Sequence, residues 1–154
     1  MPATPAVQAV WPGTSRAGPP SPKTGRPHRS SRGSASGRSS STLFPPQAPY
    51  FEKSDLLVAA DCTAFALGGF HDGLLKGKKL VIACPKLDDT QGYVEKLAEL
   101  IKRNSLKSLT VAIMTVPCCS GLERIVRQAA ALSGEAIEVK KVVVGIDGKV
   151  VQAA

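Results

Sequence analysis

Residues 109–133 read LTVAIMTVPCCSGLERIVRQAAALS. Leu109 to Val116 is a nearly continuous apolar run of the kind that fills a strand covered on both faces. Pro117, Cys118 and Cys119 interrupt it. From Gly121 the period changes: Leu122, Ile125, Val126 and Ala129 fall at i, i+3, i+4 and i+7, Glu123 stands four residues before Arg127, and Gly134 follows as a C′ residue. The passage predicts a buried strand, a tight turn carrying two cysteines, and a helix over Gly121–Ser133. That unit belongs to an α/β fold with a parallel sheet and right-handed crossovers.

The flanking sequence repeats the pattern. Leu56-Leu57-Val58-Ala59-Ala60 and Leu80-Val81-Ile82-Ala83 are further buried-strand runs. Thr90–Asn104 predicts a second helix, with Val94, Leu97, Leu100 and Ile101 on one face, Glu99 and Arg103 paired on the other, and Asp88 or Asp89 at its start. Ile137 to Val144 begins with alternation, as expected of a strand nearer an edge, and Asp147-Gly148 marks a turn into a short final strand. Between the first two strands, Thr63 to Lys78 is punctuated by Gly68, Gly69, Gly73 and Gly77 and predicts a loop with one short helix. It matches neither GxGxxG nor GxxxxGK[ST], which argues against a nucleotide site. The expected architecture is α/β: a small three-layer domain with a mainly parallel four-stranded sheet, spanning residues 45–154 with its foldable part from about Pro49 to Val151.

Residues 1–44 read differently. Pro, Gly, Ser, Ala and Arg dominate, and so little apolar surface cannot offset a backbone ordering cost of about 1–2 kcal/mol per residue. A disordered tail is expected. Arg16, Lys23, Arg26, Arg29, Arg32 and Arg38 lie within it without an acidic residue, so 14 basic residues face 12 acidic ones in the remainder and the net charge of +8 belongs mostly to the tail. Without interleaved aromatics, the basic stretch argues for a solvated tail and against a nucleic-acid partner. Its composition also matches GC-rich DNA read out of frame. No apolar run reaches the roughly 18–20 residues of a membrane helix, and the start lacks a secretory apolar core. A cytoplasmic protein with no membrane partner is expected, in which cysteines are thiols, ligands or catalytic groups before they are structural disulfides.

All four cysteines follow strands: Cys62 after the first, Cys84 after the second, Cys118 and Cys119 after the third. Loops beyond the carboxyl ends of parallel strands share one edge and form the binding crevice. Soft thiolates select zinc, copper(I) or iron-sulfur clusters, so Cys62, Cys84, Cys118 and Cys119 are the expected cofactor or metal ligands, with His71 as a further candidate ligand. Cys118 and Cys119 precede a helix whose positive end favours thiolate. Two alternatives stand beside this reading. Cys118-Cys119-Ser120-Gly121-Leu122-Glu123-Arg124 fits the CxxGxxR phosphate loop of cysteine-dependent phosphatases, although Glu123 puts negative charge into that loop. Otherwise the cysteines are small buried hydrophobes of a non-catalytic interaction domain.

Several motifs recur in order: Pro45-Pro46-Gln47-Ala48-Pro49-Tyr50-Phe51, Ala59-Ala60-Asp61-Cys62, Phe70-His71, Leu75-Lys76-Gly77-Lys78, Cys84-Pro85-Lys86-Leu87-Asp88-Asp89 and Val116-Pro117-Cys118-Cys119. Over about residues 44–151 the chain resembles the C-terminal α/β domain of 4Fe-4S ferredoxin-type iron-sulfur proteins of anaerobic bacteria and archaea. In that family a ferredoxin module with CxxCxxCxxxCP clusters precedes the domain; it is absent from this sequence. The resemblance implies an electron-transfer domain with a ferredoxin or other iron-sulfur redox partner. Ser120 stands where family members tend to carry glycine, a departure at the turn after the cysteine pair.

Overall fold

The computed structural model describes residues 39–40 and 45–153. The tail expected over residues 1–44 therefore lies outside the described residues apart from Ser39–Ser40. Among the described residues six strands form one sheet: β1 (Ser39–Ser40), β2 (Asp55–Ala60), β3 (Lys79–Ala83), β4 (Ser108–Met114), β5 (Val139–Val144) and β6 (Val150–Ala153), in spatial order β1-β3-β2-β4-β5-β6. The first five are parallel and β6 returns antiparallel along β5. The four expected strands are the central four. The turn at Asp147-Gly148 does lead into a final strand, and the two-residue β1 adds an edge within the stretch expected to be tail.

The chain leaves β2 toward β3, then crosses back over β2 to reach β4 and continues to β5. This reversal makes the sheet doubly wound and places its switch point between β2 and β4. Two helices, α2 (Tyr93–Asn104) and α3 (Ser120–Ser133), pack together on one face. Their buried residues, among them Leu97, Leu100, Ile101, Leu122 and Val126, meet Leu56, Val58, Val81, Leu109 and Val111. The other face is covered over its β2–β3 half by a short helix α1 (Thr63–Ala66) and a turn at Phe70–Leu74, through Phe70 and Leu75 against Leu57, Ala59, Leu80 and Ala112. Central strands buried on both faces explain the continuous apolar runs.

Helix α2 starts later than expected, because Gly92 takes a left-handed conformation (φ 76°) and Asp88 is used elsewhere. Helix α3 ends as expected on Gly134 (φ 74°). Both anticipated i,i+4 pairs form, Glu99–Arg103 at 2.7 Å and Glu123–Arg127 at 3.0 Å. The Pro45–Phe51 segment belongs to the fold: Phe51 is fully buried, and the Asn104 side-chain amide at the end of α2 donates to the Pro46 and Leu100 carbonyls at 2.7 and 2.8 Å.

Candidate thiol site at the switch point

Strand β2 ends in Ala60, and the turn Asp61-Cys62-Thr63 is pinned when the buried Thr63 hydroxyl donates to the Ala60 carbonyl at 2.6 Å. Strand β4 ends in Met114, after which a 3-10 turn (Pro117–Cys119) runs directly into α3. Its backbone is held by the Cys119 N–H donating to the Val116 carbonyl at 3.1 Å, and by the Ser120 hydroxyl donating to Pro117 at 2.8 Å. These two turns flank the switch point, where open α/β sheets build their binding crevices. They bring Cys62 Sγ and Cys119 Sγ to 4.0 Å, across 57 residues of sequence.

The two thiols differ. Cys119 is 3% exposed and Cys62 is half-buried. Burial pushes the Cys119 thiol up to about 12 from an ordinary 9.0; a backbone hydrogen bond at Met114 pulls the other way, and the neighbouring Cys62 and Cys118 add to the rise. The start of α3 was expected to favour thiolate. At Cys119 the loss of hydration outweighs it, because the side chain turns into the core beneath the helix.

The strand order β3-β2-β4 puts Cys84, Cys62 and the Cys118-Cys119 pair at the carboxyl ends of three adjacent strands, as the sequence suggested. Among the described residues the sulfur–sulfur contact joins Cys62 and Cys119, not Cys84 or Cys118. No group of three or more His, Cys, Asp or Glu side chains among them is arranged to hold a metal ion. Cys118 is exposed at the mouth of the site. Cys84 is half-buried in a loop built around Asp88, whose carboxylate accepts the Cys84 N–H at 2.8 Å and the Tyr93 hydroxyl at 2.7 Å. Pro85 of that loop packs on Gly121 of α3: a Cβ there would lie 3.5 Å from Pro85 Cβ. His71 is exposed in the Phe70–Leu74 turn, its ring edge-on to Phe70 at 5.4 Å. Arg124, the arginine of the CxxGxxR pattern, is exposed on α3, and the segment before it is helical.

Strand ends put the four cysteines on one rim; which two touch, and the role of Asp88, are set by parts of the chain beyond that pattern. The Cys84–Asp88 spacing, a carboxylate four residues after the first residue beyond β3 and before a helix, was the available signal for that loop.

A doubly wound sheet with its crevice at the β2–β4 reversal defines a Rossmann-like α/β domain, with a cysteine in its first β–α turn in place of a glycine fingerprint. The chain belongs to the Rossmann-like domain family, whose model matches residues 48–154. It is 30% identical over 108 residues to an uncharacterized protein of Archaeoglobus fulgidus, covering 70% of this chain and 76% of that one. No solved structure matches. No helix among the described residues is long and apolar enough to cross a membrane.

Proposed function

We propose that this domain is a thiol-based redox module in which Cys62 and Cys119 cycle between dithiol and disulfide. The observation that carries the reading is the 4.0 Å approach of the two sulfurs at the switch point. A disulfide needs about 2.05 Å, and the sulfurs already face each other. The asymmetry in exposure supports a division of roles. The more accessible Cys62 meets the oxidant, a small or protein disulfide: its thiolate attacks one sulfur, forming a mixed disulfide and expelling the other as thiolate. Cys119 then attacks Cys62 Sγ, closing the internal disulfide and releasing the second thiolate. The two protons from the protein thiols end on the released thiols, and two electrons pass from the pair to the disulfide. Capping Cys62 removes its share of the pressure that keeps Cys119 protonated, so the resolving thiol becomes easier to ionise after the first step. An iron-sulfur protein is the partner class proposed to re-reduce the pair.

Equilibration in glutathione redox buffers with mass mapping tests this. A Cys62–Cys119 disulfide is expected, lost in Cys62→Ser and in Cys119→Ser. Oxidation that leaves the two unlinked, or equal behaviour of both variants and the parent, overturns it.

A second reading is favoured by the strand order. Two sulfurs 4.0 Å apart lie close to the roughly 3.8 Å edge of a tetrahedral thiolate zinc site with bonds of about 2.3 Å. Cys62 and Cys119 would supply two ligands, with Cys84 and Cys118 from the flanking turns as the others after loop adjustment. A bound zinc ion or iron-sulfur centre would draw off the Cys119 proton and supply structural or one-electron chemistry. Iron, sulfide and zinc analysis after anaerobic purification separates the readings: stoichiometric metal released on Cys62→Ser supports this one.

A further inference from the structure

A groove lies on the opposite face from α2 and α3, away from the thiols. The register aligns Leu57, Thr110 and Lys140 across β2, β4 and β5, and Ala59, Ala112, Val142 and Ala153 across β2, β4, β5 and β6. The apolar cover formed by Phe70 and Leu75 lies over the β2–β3 end of these rows. Over the β4–β6 end the same rows floor a groove of about 500 Å³, walled by Leu74 and Lys78.

Three features of this groove point to a ligand. Thr110 is only 5% exposed, yet no side-chain hydrogen bond joins its hydroxyl to another described residue. A buried hydroxyl without a partner costs about 1–3 kcal/mol, so one lining a groove asks for something in the groove to satisfy it. The Lys78 ammonium is held at the wall by donating to the Leu74 carbonyl at 2.8 Å, which leaves two of its three N–H bonds for a ligand. Lys140 forms no ion pair among the described residues. Its neighbour Lys141 also borders the groove, but its ammonium is committed to Glu123 of α3 at 3.1 Å. Among the described residues no Asp or Glu lines the groove; the nearby Asp55 carboxylate accepts the hydroxyl of Ser108, which does line it, at 2.5 Å.

We infer that this groove binds a small organic oxyanion, a carboxylate or phosphate monoester, with its head between Lys78 and Lys140, an oxygen on the Thr110 hydroxyl, and its apolar body along Leu74 and Val142. The test is an amide-shift titration of the full chain with benzoate, phenyl phosphate, inorganic phosphate, and neutral benzyl alcohol as a control. Saturable shifts confined to Leu74, Lys78, Thr110, Lys140 and Val142 are expected for one or both aromatic anions, and none for benzyl alcohol. The benzoate and phenyl phosphate arms distinguish the two head groups. Lys140→Gln should weaken binding at least fivefold, and Lys102→Gln, on the exposed side of α2, should not change it. Thr110→Val should weaken binding while raising the Tm of the free protein, since it removes the unsatisfied hydroxyl without changing shape. Absence of saturable shifts overturns the inference, as do equal losses in Lys140→Gln and Lys102→Gln. Shifts of these amides that depend on protein concentration alone would assign the groove to a second copy of the chain and overturn it too.

Discussion

Replacing Cys119 by alanine should flatten the alkaline limb of the stability curve. In the folded protein burial holds the Cys119 thiol at about 12, against an ordinary 9.0. The folded state therefore keeps its proton over a range in which the unfolded chain releases it. Stability from this difference is fully present below about pH 9 and is lost as pH rises toward 12, at about 1.4 kcal/mol per unit. By about pH 10.5 the loss is about 2 kcal/mol, and by pH 12 it approaches about 4 kcal/mol. The fixed cost of removing the sulfur shifts the curve without tilting it. Urea denaturation of the parent and Cys119→Ala between about pH 8 and 10.5, anaerobically, measures the gap; the parent should lose about 2 kcal/mol more than the variant over that span. Parallel curves would mean that Cys119 is hydrated in solution, and the assignment of a buried resolving thiol would fall with it.

Three further outcomes follow from the packing. Gly148→Ala should destabilise by about 2 kcal/mol or more in urea denaturation, because φ is +78° and a Cβ would meet the Ala66 carbonyl oxygen at 2.5 Å. Asp88→Asn should cost about 1–2 kcal/mol and speed hydrogen exchange at the Cys84 amide, since one charged acceptor holds both that amide and the Tyr93 hydroxyl. Burial raises the Glu123 carboxyl, but hydrogen bonds from Arg127 and Lys141 outweigh it and leave it below its ordinary 4.5. Its stabilisation is thus present above that value and lost as pH falls; Glu123→Gln should lower Tm near neutral pH, converging with the parent in acid.

The elements were legible because each is decided by local pattern. Short continuous runs such as Leu56–Ala60 suit strands covered on both faces, and the i, i+3, i+4 spacing from Leu122 to Ala129 suits a helix that buries one side. Positions set by distant parts of the chain were not legible in the same way. Nothing within Thr63–Lys78 says that its turn at Phe70 covers only half a sheet face, which leaves Thr110 and Lys140 bordering a groove. The four-residue spacing of Cys84 and Asp88 allows that carboxylate to turn back to the Cys84 amide, but local pattern does not choose this over capping α2.

The same distinction governs the thiols. That Cys62, Cys84, Cys118 and Cys119 share a rim follows from strand ends, a local property. That Cys62 meets Cys119 depends on the reversal of winding, which sets β4 beside β2 and places β3 on the far side. Within the Cys118-Cys119 pair, the turn into α3 directs consecutive side chains differently, one outward and one beneath the helix. An adjacent pair thereby yields one exposed thiol and one desolvated thiol, and the desolvated one lies against a half-exposed partner from another strand. A disulfide relay needs this combination of an accessible attacking group and a protected resolving group, and a uniformly exposed cluster of four thiols would not supply it.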